Sequence, residues 1–198
     1  MDSNVGNSEH RAGAGRLRRA EREAREVAAA WAPGPAVLRI GDAATWQELR
    51  LLDLGSFTAI HLATHAEVYQ GLPGRSTLRL ADRDGDGEAM TLPAVAELPL
   101  AADLVYLSCC EAARPLVDAE GMVDFARAFL TAGARTVVAA SQPIADEAAQ
   151  HIALEFYAAW LRGNHPAGSL RAAQRALRAD PRWSHPFYWS AFRVVSGE

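Results

Sequence analysis

Two adjacent cysteines, Cys109 and Cys110, and two histidines four residues apart, His61 and His65, are the side chains here whose types suit covalent chemistry. A free thiol has a pKa of about 8.5, so little of it is thiolate at neutral pH. An imidazole within reach takes the thiol proton and later returns it to a leaving amine. The tetrahedral oxyanion of such a reaction then needs backbone N–H donors. His65 follows the apolar run from Thr58 to Ala63, and Cys110 follows the run from Leu104 to Ser108. In open parallel sheets, functional groups gather beyond the carboxyl ends of the strands. If the two runs are neighbouring strands, His65 and Cys110 meet above the sheet. The amides of Ala66 and Cys110 then stand where the chain leaves a strand, which suits oxyanion donors. The plain alternative is that a strand-end cysteine fills core space, since cysteine is among the most buried residue types.

The elements that must position these residues follow from the hydrophobic pattern. A helix is expected from Arg16 to Trp31, stopped by Pro33-Gly34-Pro35. Its charges, from Arg16-Leu17-Arg18-Arg19 to Glu21, Glu23 and Glu26, read as a mixed-charge face with i,i+4 pairs. A short strand is expected at Ala36 to Ile40. Thr45 with Glu48 fits a capping box for a helix lined by Trp46, Leu49 and Leu52. Strands follow at Thr58 to Ala63, Leu104 to Ser108 and Thr136 to Ala140. A small hairpin joins Thr77 to Leu80 with the region of Met90 to Leu92. Helices are expected over Gly121 to Ala132, Ile144 to Arg162 and Pro166 to Ala179, and a last strand over Trp189 to Val195. This alternation predicts an α/β fold, a three-layer α/β/α sandwich with a mostly parallel central sheet. Residues 1–15 show no periodicity and read as a disordered leader, with one domain over 16–198.

Composition narrows the partners. The chain has 198 residues, is 49% hydrophobic and 22% charged, and carries a formal net charge of -4. That amount of apolar surface supports a full core, and the charge gives no reason to expect nucleic acid or an anionic membrane as partner. No apolar run is long enough to span a bilayer, and two adjacent cysteines cannot staple distant parts of a fold. The expectation is a cytoplasmic protein with reduced thiols, no cofactor and no metal. Asp82-Arg83-Asp84-Gly85-Asp86-Gly87 copies the opening of a calcium loop, but the position that should carry a bidentate Glu is Pro93, so an acidic turn is the favoured reading. Trp183, Phe187, Tyr188, Trp189 and Phe192 are expected to pack the last strand against the final helices.

Several ordered motifs carry a resemblance. The segment His61-Leu62-Ala63-Thr64-His65-Ala66 resembles the H-x-A-T-H-G motif of CHAT domains, caspase-like domains often found with tetratricopeptide repeats. Leu107-Ser108-Cys109-Cys110-Glu111 resembles their L-S-A-C-E-T. The run from Glu120 to Leu130 resembles their E-G-L-x-x-L-A-R-A-F-L helix. Ser169 to Gln174 and His185 to Phe192 resemble A-L-R-x-A-Q and H-P-Y-Y-W-A-A-F.

The resemblance implies a caspase-type fold and a cytosolic Cys–His peptidase that cleaves a protein partner. It also implies a prokaryotic regulatory or defence setting, and control by a sensor or a repeat-containing subunit. By motif, His65 is the base and Cys110 the nucleophile, while His61 and Cys109 fall at non-catalytic places. Ala66 stands where the family has Gly, which would carry strain if that position needs a positive φ. Ser141-Gln142-Pro143-Ile144-Ala145-Asp146 departs from the family's S-L-W-P-V-D. In caspase relatives this strand end helps line the pocket for the residue before the scissile bond. Ser141, Gln142, Pro143 and Asp146 are therefore the expected pocket residues. Gln142 in place of tryptophan implies a changed preference. Asp146 has a second reading, as a dipole-favoured acid in the first turn of a helix. The rival to a peptidase is a catalytically silent CHAT-like interaction module.

Overall fold

The structure, a computed structural model, describes residues 19–31, 34–67, 75–81, 89–109, 119–142 and 144–197. Its first helix, α1, covers residues 19–30. The short helix α2 (Trp46–Arg50) starts at Thr45, whose hydroxyl accepts from the Glu48 amide at 3.1 Å. Strand β1 (Ala59–Glu67) is followed by the hairpin of β2 (Thr77–Arg79) and β3 (Ala89–Thr91), and then by α3 (Leu92–Ala96). The second half runs β4 (Leu104–Cys109), α4 (Ala119–Thr131), β5 (Thr136–Ala140), α5 (Asp146–Trp160), α6 (Pro166–Ala179), α7 (Pro186–Trp189) and β6 (Phe192–Ser196).

The six strands form one sheet in the order β3-β2-β1-β4-β5-β6. The central pairs β1–β4 and β4–β5 are parallel, and the outer pairs are antiparallel. Strands β1, β3, β4 and β5 therefore point one way and β2 and β6 the other. Every neighbouring pair but one joins strands that are consecutive in sequence; the exception is the β1–β4 seam.

Alternate residues of the central strands divide between two apolar clusters, because successive side chains in a strand point to opposite faces. Val105, Leu107, Val137 and Ala139 belong to a cluster with Met122, Phe125, Ala126 and Phe129 of α4, and Trp46, Leu49 and Leu52 pack against it. Leu104, Tyr106, Val138 and Ala140 belong to a second cluster with Val27 of α1, with Ile152, Phe156 and Tyr157 of α5, and with Leu170 and Leu177 of α6. The spacing of Met122, Phe125, Ala126 and Phe129 is the stripe that a helix must present to a sheet. Gly133 ends the turn after α4 at φ 113, and a Cβ there would overlap the Leu100 carbonyl.

Three expectations change. Ala36 to Ile40 is not a strand; it is largely exposed and pairs with nothing in the sheet. The sheet's edge strands are β3 and β6, and this run pairs with neither of them. The last strand begins only at Phe192, because Pro186 opens a helical turn whose Phe187 amide donates to the His185 ring at 3.2 Å. The aromatic group packs against the core with one exception: Phe192 is buried in the second cluster and Trp183, Tyr188 and Trp189 pack against it, whereas Phe187 is 45% exposed.

Candidate active site

Strand β1 changes partner at the expected histidine. Residues Ala59 to Thr64 pair in parallel with Leu104 to Cys109, and His65 to Glu67 pair antiparallel with Arg79 to Thr77. His65 therefore does not follow the end of a strand. It lies inside β1, at the first position beyond the β4 pairing, because the hairpin extends the strand past its apolar run. The residues around it are tied down. The Thr64 hydroxyl donates to the Arg79 carbonyl, and the Arg79 guanidinium meets Glu67 Oε1 at 2.9 and 3.0 Å. His65 itself is half-buried. Ala66 is buried and sits in the extended ladder opposite Leu78, a backbone that any L-residue adopts, so the missing glycine brings no strain here.

Cys110 lies outside the described residues, as do Glu111 to Ala113, Pro143 and the acidic turn from Asp82 to Gly87. What is described is the strand leading to it. Thr64 pairs with Cys109, and in the sequence His65 and Cys110 are the residues that follow these two partners. Ser108, paired with Ala63, is buried, and its hydroxyl has no hydrogen-bond partner among the described residues.

Of the residues expected to line a pocket, Ser141, Gln142 and Asp146 fall beyond the end of β5. The Ser141 amide and hydroxyl both donate to the Ala191 carbonyl, at 2.6 and 3.0 Å. The Gln142 side-chain amide donates to the Phe187 carbonyl at 2.7 Å. Gln142 thus braces the α7 turn against the end of β5. Asp146 sits in the first turn of α5, 3.5 Å from Arg19. A cavity of about 380 Å³ bordered by Trp46, Arg50, Leu54 and Glu97 holds none of these residues.

His61 occupies a different setting on the same strand. Its ring stacks on Tyr106 with centroids 5.2 Å apart, its Nδ1 lies 3.3 Å from the Tyr157 hydroxyl, and its Nε2 lies 3.0 Å from Glu23 Oε1. The last two atoms are not aligned for a hydrogen bond, so that close contact is electrostatic. Burial, and then the Glu23 charge, push the Tyr157 phenol well above the ordinary tyrosine range, so it keeps its proton and can donate to Nδ1. His61 is a partnered strand histidine, as its place in the motif implied. Glu23 is not on a solvated helix face as the charge pattern suggested; α1 turns it inward, 4% exposed. Neither Glu23 nor Tyr157 is distinguished in the sequence from its neighbours. The one available signal was that Glu23 and Val27 are four residues apart and so share a helix face.

The CHAT domain family model matches residues 3–198. The chain belongs to the CHAT domain family. This CHAT domain is 32% identical over 109 residues to Tetratricopeptide repeat protein 28 of Mus musculus, a stretch covering 55% of this chain and 4% of that protein. It is 28% identical over 133 residues to the Homo sapiens protein of the same name, covering 62% of this chain and 5% of the relative. The chain thus spans a small part of either relative's length. Among the described residues of this CHAT domain, no helix is long and apolar enough to cross a membrane.

Proposed function

We propose that this CHAT domain is a cysteine endopeptidase in which Cys110 is the nucleophile and His65 its base. The observation that carries this reading is the β1–β4 register. With Thr64 paired to Cys109, His65 and Cys110 are the residues that follow in the sequence. The alternation of faces favours the same choice. His61 lies on the face of Tyr106, on which it stacks, and His65 belongs to the same alternate set of β1. The matching set on β4 is Leu104, Tyr106 and Ser108, and in the sequence that alternation continues to Cys110 rather than to Cys109. The division of β4 and β5 residues between two clusters supports a three-layer, caspase-like sandwich over residues 16–198.

In this reading the thiol of Cys110 gives its proton to His65, and the thiolate sulfur attacks the scissile carbonyl. The amides of Ala66 and Cys110 receive the oxyanion, and His65 protonates the departing amine. Water then hydrolyses the thioester, with His65 again as base. Ser141, Gln142, Pro143 and Asp146 border the substrate pocket. Because the Gln142 amide is committed to the Phe187 carbonyl, its effect on preference is through the shape of the α7 turn. The substrate is a protein, and a sensor or repeat-bearing partner controls the activity; the tetratricopeptide repeats in the names of the two relatives support the latter.

An electrophilic peptide probe tests this. The wild-type chain is expected to be labelled at Cys110, with labelling lost in Cys110→Ala and His65→Ala. Labelling at Cys109, or labelling indifferent to His65, overturns the assignment. A folded chain that no probe labels points to the silent interaction module.

A further inference from the structure

We propose that Glu23 is a positioning residue for His65, acting through His61 and strand β1; this deepens the Cys–His reading and rests on it. Both histidines lie on β1, in one alternate set of its residues. Four residues of strand span about 13 Å, so Glu23 does not reach the reacting atoms. What it reaches is the middle of the strand that carries the base.

Three elements converge on His61. α1 brings Glu23 to within 3.0 Å of Nε2, α5 brings the Tyr157 hydroxyl to 3.3 Å from Nδ1, and β4 supplies the Tyr106 ring beneath the imidazole. All three partners are buried. The imidazole is therefore fixed in plane by stacking and in rotation by a polar group at each nitrogen. The far end of the strand is fixed by Thr64 and Glu67, both on Arg79. His65 lies inside this second anchorage, bracketed by Thr64 and Glu67, and continues the strand that His61 fixes.

Stability is a poor explanation for the inner anchorage. Taking a carboxylate out of water costs several kcal/mol, and well-packed apolar residues often replace buried charged pairs without loss. What the carboxylate adds is a buried polar group beside one ring nitrogen, which favours one placement of the imidazole. The other polar contacts between α1 and the body, Arg19 with Asp146 and Glu26 with Gln150, join α1 to α5 near the surface and leave β1 untouched. Among the described residues, Glu23 is the polar side chain of α1 in contact with β1.

The test uses the full chain and the electrophilic peptide probe, with the maximal labelling rate at Cys110 separated from probe affinity. Glu23→Gln is expected to slow the maximal rate about 10–100-fold, as small misplacements of a catalytic group do. Affinity should stay within about twofold, because the probe's contacts are elsewhere. His61→Gln should slow it similarly, and the double variant should be no slower than either, since the two residues act as a unit. Glu23→Asp, which keeps the charge, should fall between Glu23→Gln and wild type. Gln150→Ala, which cuts a surface tie of the same helix, should label at the wild-type rate. Amide hydrogen exchange, measured in a Cys110→Ala background where no chemistry occurs, should quicken at residues 64–67 with Glu23→Gln and stay unchanged over α5. Wild-type labelling in Glu23→Gln, equal slowing by Gln150→Ala, or unchanged exchange at 64–67 overturns the proposal. If the wild type is never labelled, the Cys–His reading falls, and the exchange measurement alone decides whether Glu23 positions β1.

Discussion

Tyr157 gives the chain an alkaline weakness. Its phenol titrates well above the ordinary range in the folded state, chiefly because it is buried and secondly because Glu23 is near. Unfolded, it loses its proton near pH 10. Above that pH the unfolded chain binds fewer protons than the folded one, so stability falls as pH rises, by up to about 1.4 kcal/mol per pH unit for this one group. The contribution is complete below pH 10. The chain contains no lysine, so tyrosine and cysteine side chains dominate the titration in this range. Urea unfolding between pH 8 and 11 should show the fall in the wild type and a shallower one in Tyr157→Phe. An equal slope in both would place the alkaline sensitivity elsewhere. The same residue shows where reading the sequence stopped. The motif orders His61 and His65 and implies a partnered place in the strand for His61, which is what the structure gives it. The partners of His61 were not legible, because a glutamate on a charged helix and a tyrosine on an apolar one gain their roles only when three elements meet.

At the scale of elements, what could be read was whatever is decided locally. α6 matches its expected bounds because Pro166 at its first turn and the spacing of Leu170, Ala173 and Leu177 settle it without help. β5, buried at every residue, needs only its own apolar run. The errors lie where a partner decides. β1 runs four residues past Ala63 because β2 is there to pair with it, and Ala36 to Ile40, largely exposed, adds to neither edge of the sheet. The last aromatic group divides the same way. Phe192 heads β6 inside the second cluster, whereas Phe187 caps a surface turn. Phe192→Ala is expected to cost about 3–5 kcal/mol. Phe187→Ala should stay within about 0.5 kcal/mol, as surface changes do. Chemical denaturation of the two variants measures both, and a large loss at Phe187 would return that ring to the core.

For the molecule as a whole, alternate residues of β4 and β5 divide between two apolar clusters. Leu107 belongs to one and Ile152 to the other. Leu107→Ala should cost about 2–5 kcal/mol and Ile152→Val about 0.5–1.5 kcal/mol. The double variant should lose the sum to within about 0.5 kcal/mol, with one cooperative transition. Strong non-additivity would mean that strain crosses the sheet.

The β1–β4 seam has a consequence for the order in which the chain is made. Each half of the sheet is a sequential run of strands, and the halves meet only along this line. The base sits on one side of it and the proposed nucleophile follows the strand on the other. A chain emerging from the ribosome therefore carries His65 well before Cys110, with the hairpin already available to close on β1. Parallel pairing across so long a stretch of sequence forms late. The chain's own folding order would thus keep Cys110 from His65 until synthesis has passed β4, roughly halfway along the chain.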